Sequence, residues 1–223
     1  MTREYHFQLP VTEEQIRQLN CGDTVYVSGL VYTMRDMGHR RAVDMLARGE
    51  TLPFDLHNGA LWHCAPIVRK TPQGKWEAIS AGPTTSSRFT YLGSELIKQL
   101  QIRCTIGKGT MLTKAVETMK EVGSCFLNST GGCAALYAGK IEEVVNVFWT
   151  DLGLPEATWV LRMKDFGPLI VGIDTHGNSL FEKVGAKMRQ NMASIYEKSH
   201  LDPNYSLSYL PKRVVARSSG SKW

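Results

Sequence analysis

The chain has 223 residues, 43% of them apolar, and 26 Lys and Arg against 21 Asp and Glu leave a net charge of +5. An apolar share of that size supports a real core in a soluble globular protein, and the dispersal of basic among acidic residues favours small anions over nucleic acid, although mild basicity also serves solubility. No run of about 18 apolar residues could span a membrane, and the opening MTREYHFQLPVTEEQ lacks the apolar stretch of a signal peptide, so the expected address is the cytosol.

Thr12-Glu-Glu-Gln15 matches a capping box and predicts a short helix over about residues 13–19. TVYVSGLVYTM (24–34), rich in β-branched and aromatic residues, predicts a strand, and RDMGHRRAVDMLARGE, with Met37, Arg41, Met45 and Leu46 near helical spacing, predicts a helix after it. GALWHCAPIVRK (59–70) and KWEAIS (75–80) read as two strands of a hairpin around Thr71-Pro-Gln-Gly74. From residue 92 the pattern alternates: SELIKQL helix, RCTIG strand, MLTKAVETMKEVG helix, SCFLN strand, GCAALYAGK short helix, VVNVFWT strand. Such alternation predicts a layered α/β domain with an at least partly parallel sheet.

ATWVLRMKDF and PLIVGIDTHGN predict two further strands joined near Gly167-Pro168, and SLFEKVGAKMRQNMASIYEKS predicts a long closing helix. With no internal repeat and no linker, residues 1–200 read as one domain. Residues 201–223 carry Pro, Ser, Gly and four basic residues without periodicity and predict a poorly ordered tail, or an arm that orders on a partner.

The stretch Gly82-Pro-Thr-Thr-Ser-Ser-Arg88 falls between a predicted strand and a predicted helix, where free amides and hydroxyls can receive an anion and Arg88 adds a planar fork suited to a carboxylate. The same hydroxyls also suit a simple helix cap. Ile106-Gly-Lys-Gly109 follows another strand of the predicted layer, and its glycines let backbone approach a ligand beside the Lys108 ammonium, or form a plain turn. It is not a phosphate-binding P-loop, whose spacing is absent. Arg35 and Asp36 stand where a strand ends and a helix begins, while His39 suits either a pH-active group or a packed residue. Arg35, Arg88 and Lys108, each at a predicted strand end, gain weight together because ligands gather at strand carboxyl ends in such folds.

The five cysteines, Cys21, Cys64, Cys104, Cys125 and Cys133, form no CxxC or CxxH pair and sit mostly among apolar residues, which predicts reduced thiols and no metal site made by this chain alone. Cys133 follows Gly131-Gly132 without an evident base beside it, which argues against a nucleophile. His176 in DTHGN reads as part of a surface turn.

GPTTSSR, the GKG turn, RDMGHRR, APIVRK and above all FGPLIVGIDTHGNSL, in this order over about residues 10–190, resemble the β subunit of the iron–sulfur hydro-lyases, the class of L(+)-tartrate dehydratase and class I fumarase. FGPLIVGIDTHGNSL, APIVRK and WTDLGLPE are closer to the tartrate dehydratase branch, whereas Phe89-Thr90 stands where that family usually has Met and an acid. The resemblance implies a swivelling β/β/α fold, a [4Fe-4S] cluster held by a separate α subunit in an α2β2 assembly, and a small dicarboxylate substrate. It further implies that Arg35, Arg88 and Lys108 bind substrate, that Thr84 takes part in proton transfer, and that Asp36, His39, Thr85 and Gly107 support them. The alternatives are a fumarase or mesaconate-type hydratase half, a non-catalytic anion-binding assembly subunit, and nucleic-acid binding through the basic tail, which lacks interleaved aromatics.

Overall fold

Valines at alternate positions of Thr24–Thr33 bury one face of a ten-residue strand, and the same period-two logic builds the rest of the sheet. The structure, a computed structural model, describes residues 2–200, so the tail expected at 201–223 lies outside the described residues. These residues divide into two compact units, one ending at Glu182 and the other beginning at Lys183. In the first, the elements run β1 (Glu4–Gln8), α1 (Glu13–Arg17), β2 (Thr24–Thr33), α2 (Asp36–Ala47), β3 (Ala60–Trp62), β4 (Cys64–Lys70) and β5 (Trp76–Pro83). A 3₁₀ turn (Ser86–Phe89) then leads into α3 (Thr90–Leu100), β6 (Cys104–Gly107), α4 (Thr113–Val122), β7 (Cys125–Asn128), α5 (Ala134–Ala138), β8 (Ile141–Phe148) and β9 (Thr158–Ile173). Most of the final helix, α6 (Leu180–Lys198), belongs to the second unit, and the helix exposes Val184, Met188 and Ile195.

β2, β3, β6 and β7 lie side by side in parallel, as the alternating sequence pattern predicts, and β9 runs antiparallel to both β7 and β2. The expected layer is therefore a ring of five strands, with β1 paired on β2 and β8 on β9. Alternation sorts the core: Ala60, Trp62, Cys104, Cys125 and Leu127 join one cluster with Trp159 and Phe166, whereas Leu61 and Phe126 join Leu96, Ile97, Ala115 and Met119 from the helices. The capping box holds where it was read. Thr12 and Gln15 form the reciprocal capping box of α1, and α4 ends at Gly123 in the left-handed region with φ of 71°.

Three expectations fail for traceable reasons. Residues 59–70 are two strands: β3 belongs to the ring, and after His63 the chain leaves it so that β4 can pair with β5 in a separate hairpin. The segments around Gly167-Pro168 form one sixteen-residue strand, β9. A Cβ on Gly167 would lie 2.6 Å from the Tyr26 ring and 2.8 Å from Val25 O, so this glycine serves close strand crossing and not a turn. Arg88, finally, does not follow a strand of the main sheet. It stands on the 3₁₀ turn after the hairpin strand β5, a segment that is tied to the end of β6 by an isolated bridge between Thr85 and Lys108.

Candidate active site

The register of the parallel strands places Thr33, Trp62, Ile106 and Leu127 in one row across the ring, so the residues that follow each of them emerge on one rim. Met34 N donates to Trp62 O at 3.0 Å and His63 N to Ile106 O at 2.9 Å, which continues the row to the strand ends. Arg35, His63 and Lys108 therefore leave neighbouring strands at the same edge. The hairpin adds the 84–88 turn there: Thr84 N donates to His63 O at 2.7 Å and Ser86 N to Lys108 O at 3.0 Å.

Each predicted site residue has a place in this cluster. Arg35 is the residue before the first turn of α2, its Nε lies 3.6 Å from Glu156 Oε1, too far for a hydrogen bond, and that nitrogen is buried without any hydrogen-bond partner. Asp36 pairs with Arg88, both half-exposed, so the first turn of α2 and the 3₁₀ turn are joined by charge. Thr84 is half-buried and Thr85 exposed, with Thr85 supplying the bridge to Lys108. Gly107 is needed for space, because a Cβ there would stand 1.9 Å from Ser86 Oγ. Gly131, from the loop after β7, packs on the Lys108 stem so closely that a Cβ would meet Lys108 Cδ at 2.9 Å.

His39 is buried and lies beneath the rim. Its Nδ1 donates to Arg35 O at 2.8 Å, which fixes the Nδ1–H tautomer, and its ring stacks on Phe89 at 4.6 Å between centroids. Burial pushes its pKa down to about 4, so at neutral pH it is an uncharged support. Two further side chains that sequence reading left out, His63 and Glu156, complete the cluster, and Ser86, whose hydroxyl was expected to face an anion, is instead buried. His63 Nδ1 and Ser86 Oγ share a hydrogen bond of 2.8 Å, and Glu156 accepts from Met37 N at 2.9 Å while facing Arg35. Glu156 does end the quoted WTDLGLPE stretch, but nothing local marks a glutamate that meets an arginine 121 positions away.

The three buried cysteines do not fit a metal-ligating role. Cys64, Cys104 and Cys125 are buried, burial raises the Cys64 thiol far above its usual range, and a hydrogen bond with Cys104 followed by burial does the same for Cys125. Among the described residues no group of three His, Cys, Asp or Glu side chains could hold a metal ion. A groove of about 860 Å³ between the hairpin and β8 has its Arg162 paired with Glu143 at 3.3 Å and is lined by none of the residues of the rim. Among the described residues no helix is long and apolar enough to cross a membrane.

Parallel strand ends that deliver cations, hydroxyls and backbone amides to one rim define an α/β protein equipped to hold a small anion. The chain belongs to the family described as Fumarase C-terminus, whose model matches residues 2–184. It is 42% identical over 171 residues to the L(+)-tartrate dehydratase subunit beta of Escherichia coli K12, covering 77% of this chain and 83% of that one. A Methanocaldococcus jannaschii protein provisionally named L(+)-tartrate dehydratase subunit beta is 41% identical over 190 residues, 85% of this chain and 96% of its own. A Geobacillus stearothermophilus protein provisionally named fumarate hydratase class I is equally 41% identical over 190 residues, yet this chain spans only 36% of it. The family resemblance read from the motifs is thereby confirmed, and the relatives are dehydratase and hydratase chains, as expected of a hydro-lyase.

Proposed function

We propose that residues 1–200 form one swivelling β/β/α domain, the β half of a cytosolic hydro-lyase that removes water from a 2-hydroxydicarboxylate, L(+)-tartrate first, and is active only with an α subunit in an α2β2 assembly. The observation that carries this reading is the convergence of Arg35, Arg88 and Lys108 on one rim, cross-linked by the Asp36–Arg88 pair and the Thr85–Lys108 bridge. Four free thiols, those of Cys64, Cys104, Cys125 and Cys133, three of them buried, suit a reducing compartment. Because this chain's buried cysteines do not fit cluster ligation, the [4Fe-4S] cluster of the reading belongs to the α subunit. In the longer Geobacillus relative the matched region shares one polypeptide with further chain, and that fusion supports a partner working alongside it. Exposed Met37, Tyr91, Leu112 and Leu136 lie on the helix starts around the same rim and suit a face that the partner covers.

In this reading the cations hold the substrate carboxylates. Loss of a proton next to a carboxylate spreads negative charge onto its oxygens, and fixed cations already aimed there stabilise that charge without reorganising. Arg88 offers a planar fork for one carboxylate, Lys108 a point charge for another, and Arg35 contributes the donor that the fold leaves unbonded. Asp36 and Glu156 hold the two arginines in place until a substrate carboxylate competes for them. Thr84, with its amide tied to His63 O, presents its hydroxyl for proton transfer at carbon, and Lys108 or a partner acid activates it.

The test is reconstitution with the cluster-bearing subunit followed by a panel of L(+)-tartrate, malate, fumarate and mesaconate. Oxaloacetate formed from tartrate at the highest kcat/KM is the expected result. Preferred malate formation from fumarate would move the assignment to the fumarase branch, where the Geobacillus relative is 41% identical, as the Methanocaldococcus one is. Diacid binding with no turnover on any substrate would overturn the enzymatic reading.

A further inference from the structure

Beneath the rim, His63 occupies the single-residue gap between β3 and β4 and ties three segments at once. Its N–H bonds to β6 through Ile106 O, its carbonyl accepts from Thr84 N, and its imidazole bonds to Ser86 Oγ. Ser86 in turn donates its N–H to Lys108 O. We propose that His63 is a positioning residue of the diacid site: through Ser86 it locks the 84–88 turn against the Gly107-Lys108 turn and so sets the spacing of Thr84, Arg88 and Lys108. This inference deepens the functional reading above and rests on it.

The surroundings of His63 argue for this role over simple packing. His63 and Ser86 have zero exposure, so their bond lies in a medium where polar contacts are strong and broken ones costly. His63 Nε2 is buried with no hydrogen-bond partner. An apolar side chain would fill that space without stranding a nitrogen, so the imidazole is accounted for by its Nδ1 bond. Position 107 tells the same story, since its missing side chain is what allows Ser86 Oγ and His63 Nδ1 to lie where a Cβ would stand 1.9 and 3.1 Å from them. The ring is also held from the other side, by Phe89 at 4.5 Å and His39 at 5.2 Å between centroids, and both of those residues adjoin a site arm. Burial, and behind it the neighbouring His39, lowers the His63 pKa well below 6.5. The ring therefore supplies a hydrogen bond near two cations without adding charge to repel them or a carboxylate to compete for them.

Four variants of the full chain, assembled with the α subunit, test the idea: His63→Leu, His63→Asn, whose amide reaches the Nδ1 position, Ser86→Ala, and the double variant His63→Leu with Ser86→Ala. The His63→Leu and Ser86→Ala complexes should each lose about 10²-fold in kcat/KM, the scale of a small misplacement of catalytic groups. The double variant should lose no more than either, and His63→Asn should recover most of the activity. A second readout needs no turnover: hydrogen exchange at residues 84–88 should accelerate in His63→Leu and Ser86→Ala while β2 and β9 stay protected. Wild-type kcat/KM in His63→Leu, additive losses in the double variant, or equal losses in His63→Leu and His63→Asn would overturn the proposal. A wild-type complex inactive on every diacid would instead defeat the functional reading; the exchange measurement would still decide whether His63 anchors the turn, and unchanged exchange would say that it does not.

Discussion

The two ends of β6 carry charges of the same sign in opposite circumstances. Arg103, just before the strand, is 6% exposed and its guanidinium is bonded out: Nε to Asn58 Oδ1 at 2.8 Å, Nη1 to the carbonyls of Val122 and Gly123, and Nη2 facing Glu13 at 3.4 Å. Lys108, just after it, stands on the rim where Arg35 keeps an unbonded nitrogen and Arg88 pairs with the half-exposed Asp36. Among the described residues no carboxylate lies within ion-pair distance of Lys108. A buried charge whose donors are all used is part of the fold, whereas donors left unused at strand ends are available to a ligand.

The comparison breaks if substitutions at the two ends act alike. Arg88→Ala should lower kcat of the reconstituted complex by about 10²–10³-fold, the cost of losing one preorganised charge contact, with the urea midpoint unchanged because its ion pair with Asp36 is surface-exposed. Full turnover in that variant would remove Arg88 from the site. Arg103→Met should behave conversely, losing about 3 kcal/mol of stability because carbonyls of Val122 and Gly123 are left unpaired, while kcat of whatever folds stays near that of the parent. Equal unfolding midpoints for parent and variant would contradict this account of Arg103.

The smallest effect sharpens the picture of the ground beneath the rim. Free histidine takes up a proton near pH 6.5, but His39 in the fold does so only near pH 4, so between those values the unfolded chain binds more protons and stability falls as the pH falls. From this ring alone the loss amounts to about 2 kcal/mol at pH 5, and His63 acts in the same direction. Chemical denaturation at pH 7 and pH 5 measures it, and a His39→Asn variant should show a shallower decline. A parent protein equally stable at both values would mean that the rings are not held neutral.

The alternation of strands and helices from residue 92 was legible because short apolar runs bounded by turn residues alternate with the longer helical periods of α3 and α4. So was the capping box at Thr12, a purely local device. The break at His63 was not, since GALWHCAPIVRK keeps strand chemistry throughout and only the partners change, from β2 and β6 to β5. Gly167-Pro168 misled for the opposite reason: a pair that ordinarily marks a turn here admits Tyr26 against a continuous strand. At the site, the cations stood out through their motifs, but Glu156 and His63 did not, because their significance lies in partners far away in sequence or hidden beneath the rim.

The ring formed by β2, β3, β6, β7 and β9 also dictates how the chain must be made. Its sealing strand arrives after four of its five members, and its pairing with β2 joins Thr24 to Ile170 across most of the described chain. Contacts of that separation slow folding, and until Thr158–Ile173 leaves the ribosome, β2 and β7 each present an unpaired edge that invites association with other chains. A nascent chain halted before residue 158 already contains Arg35, Thr84, Arg88 and Lys108, but lacks the strand that closes the frame holding them.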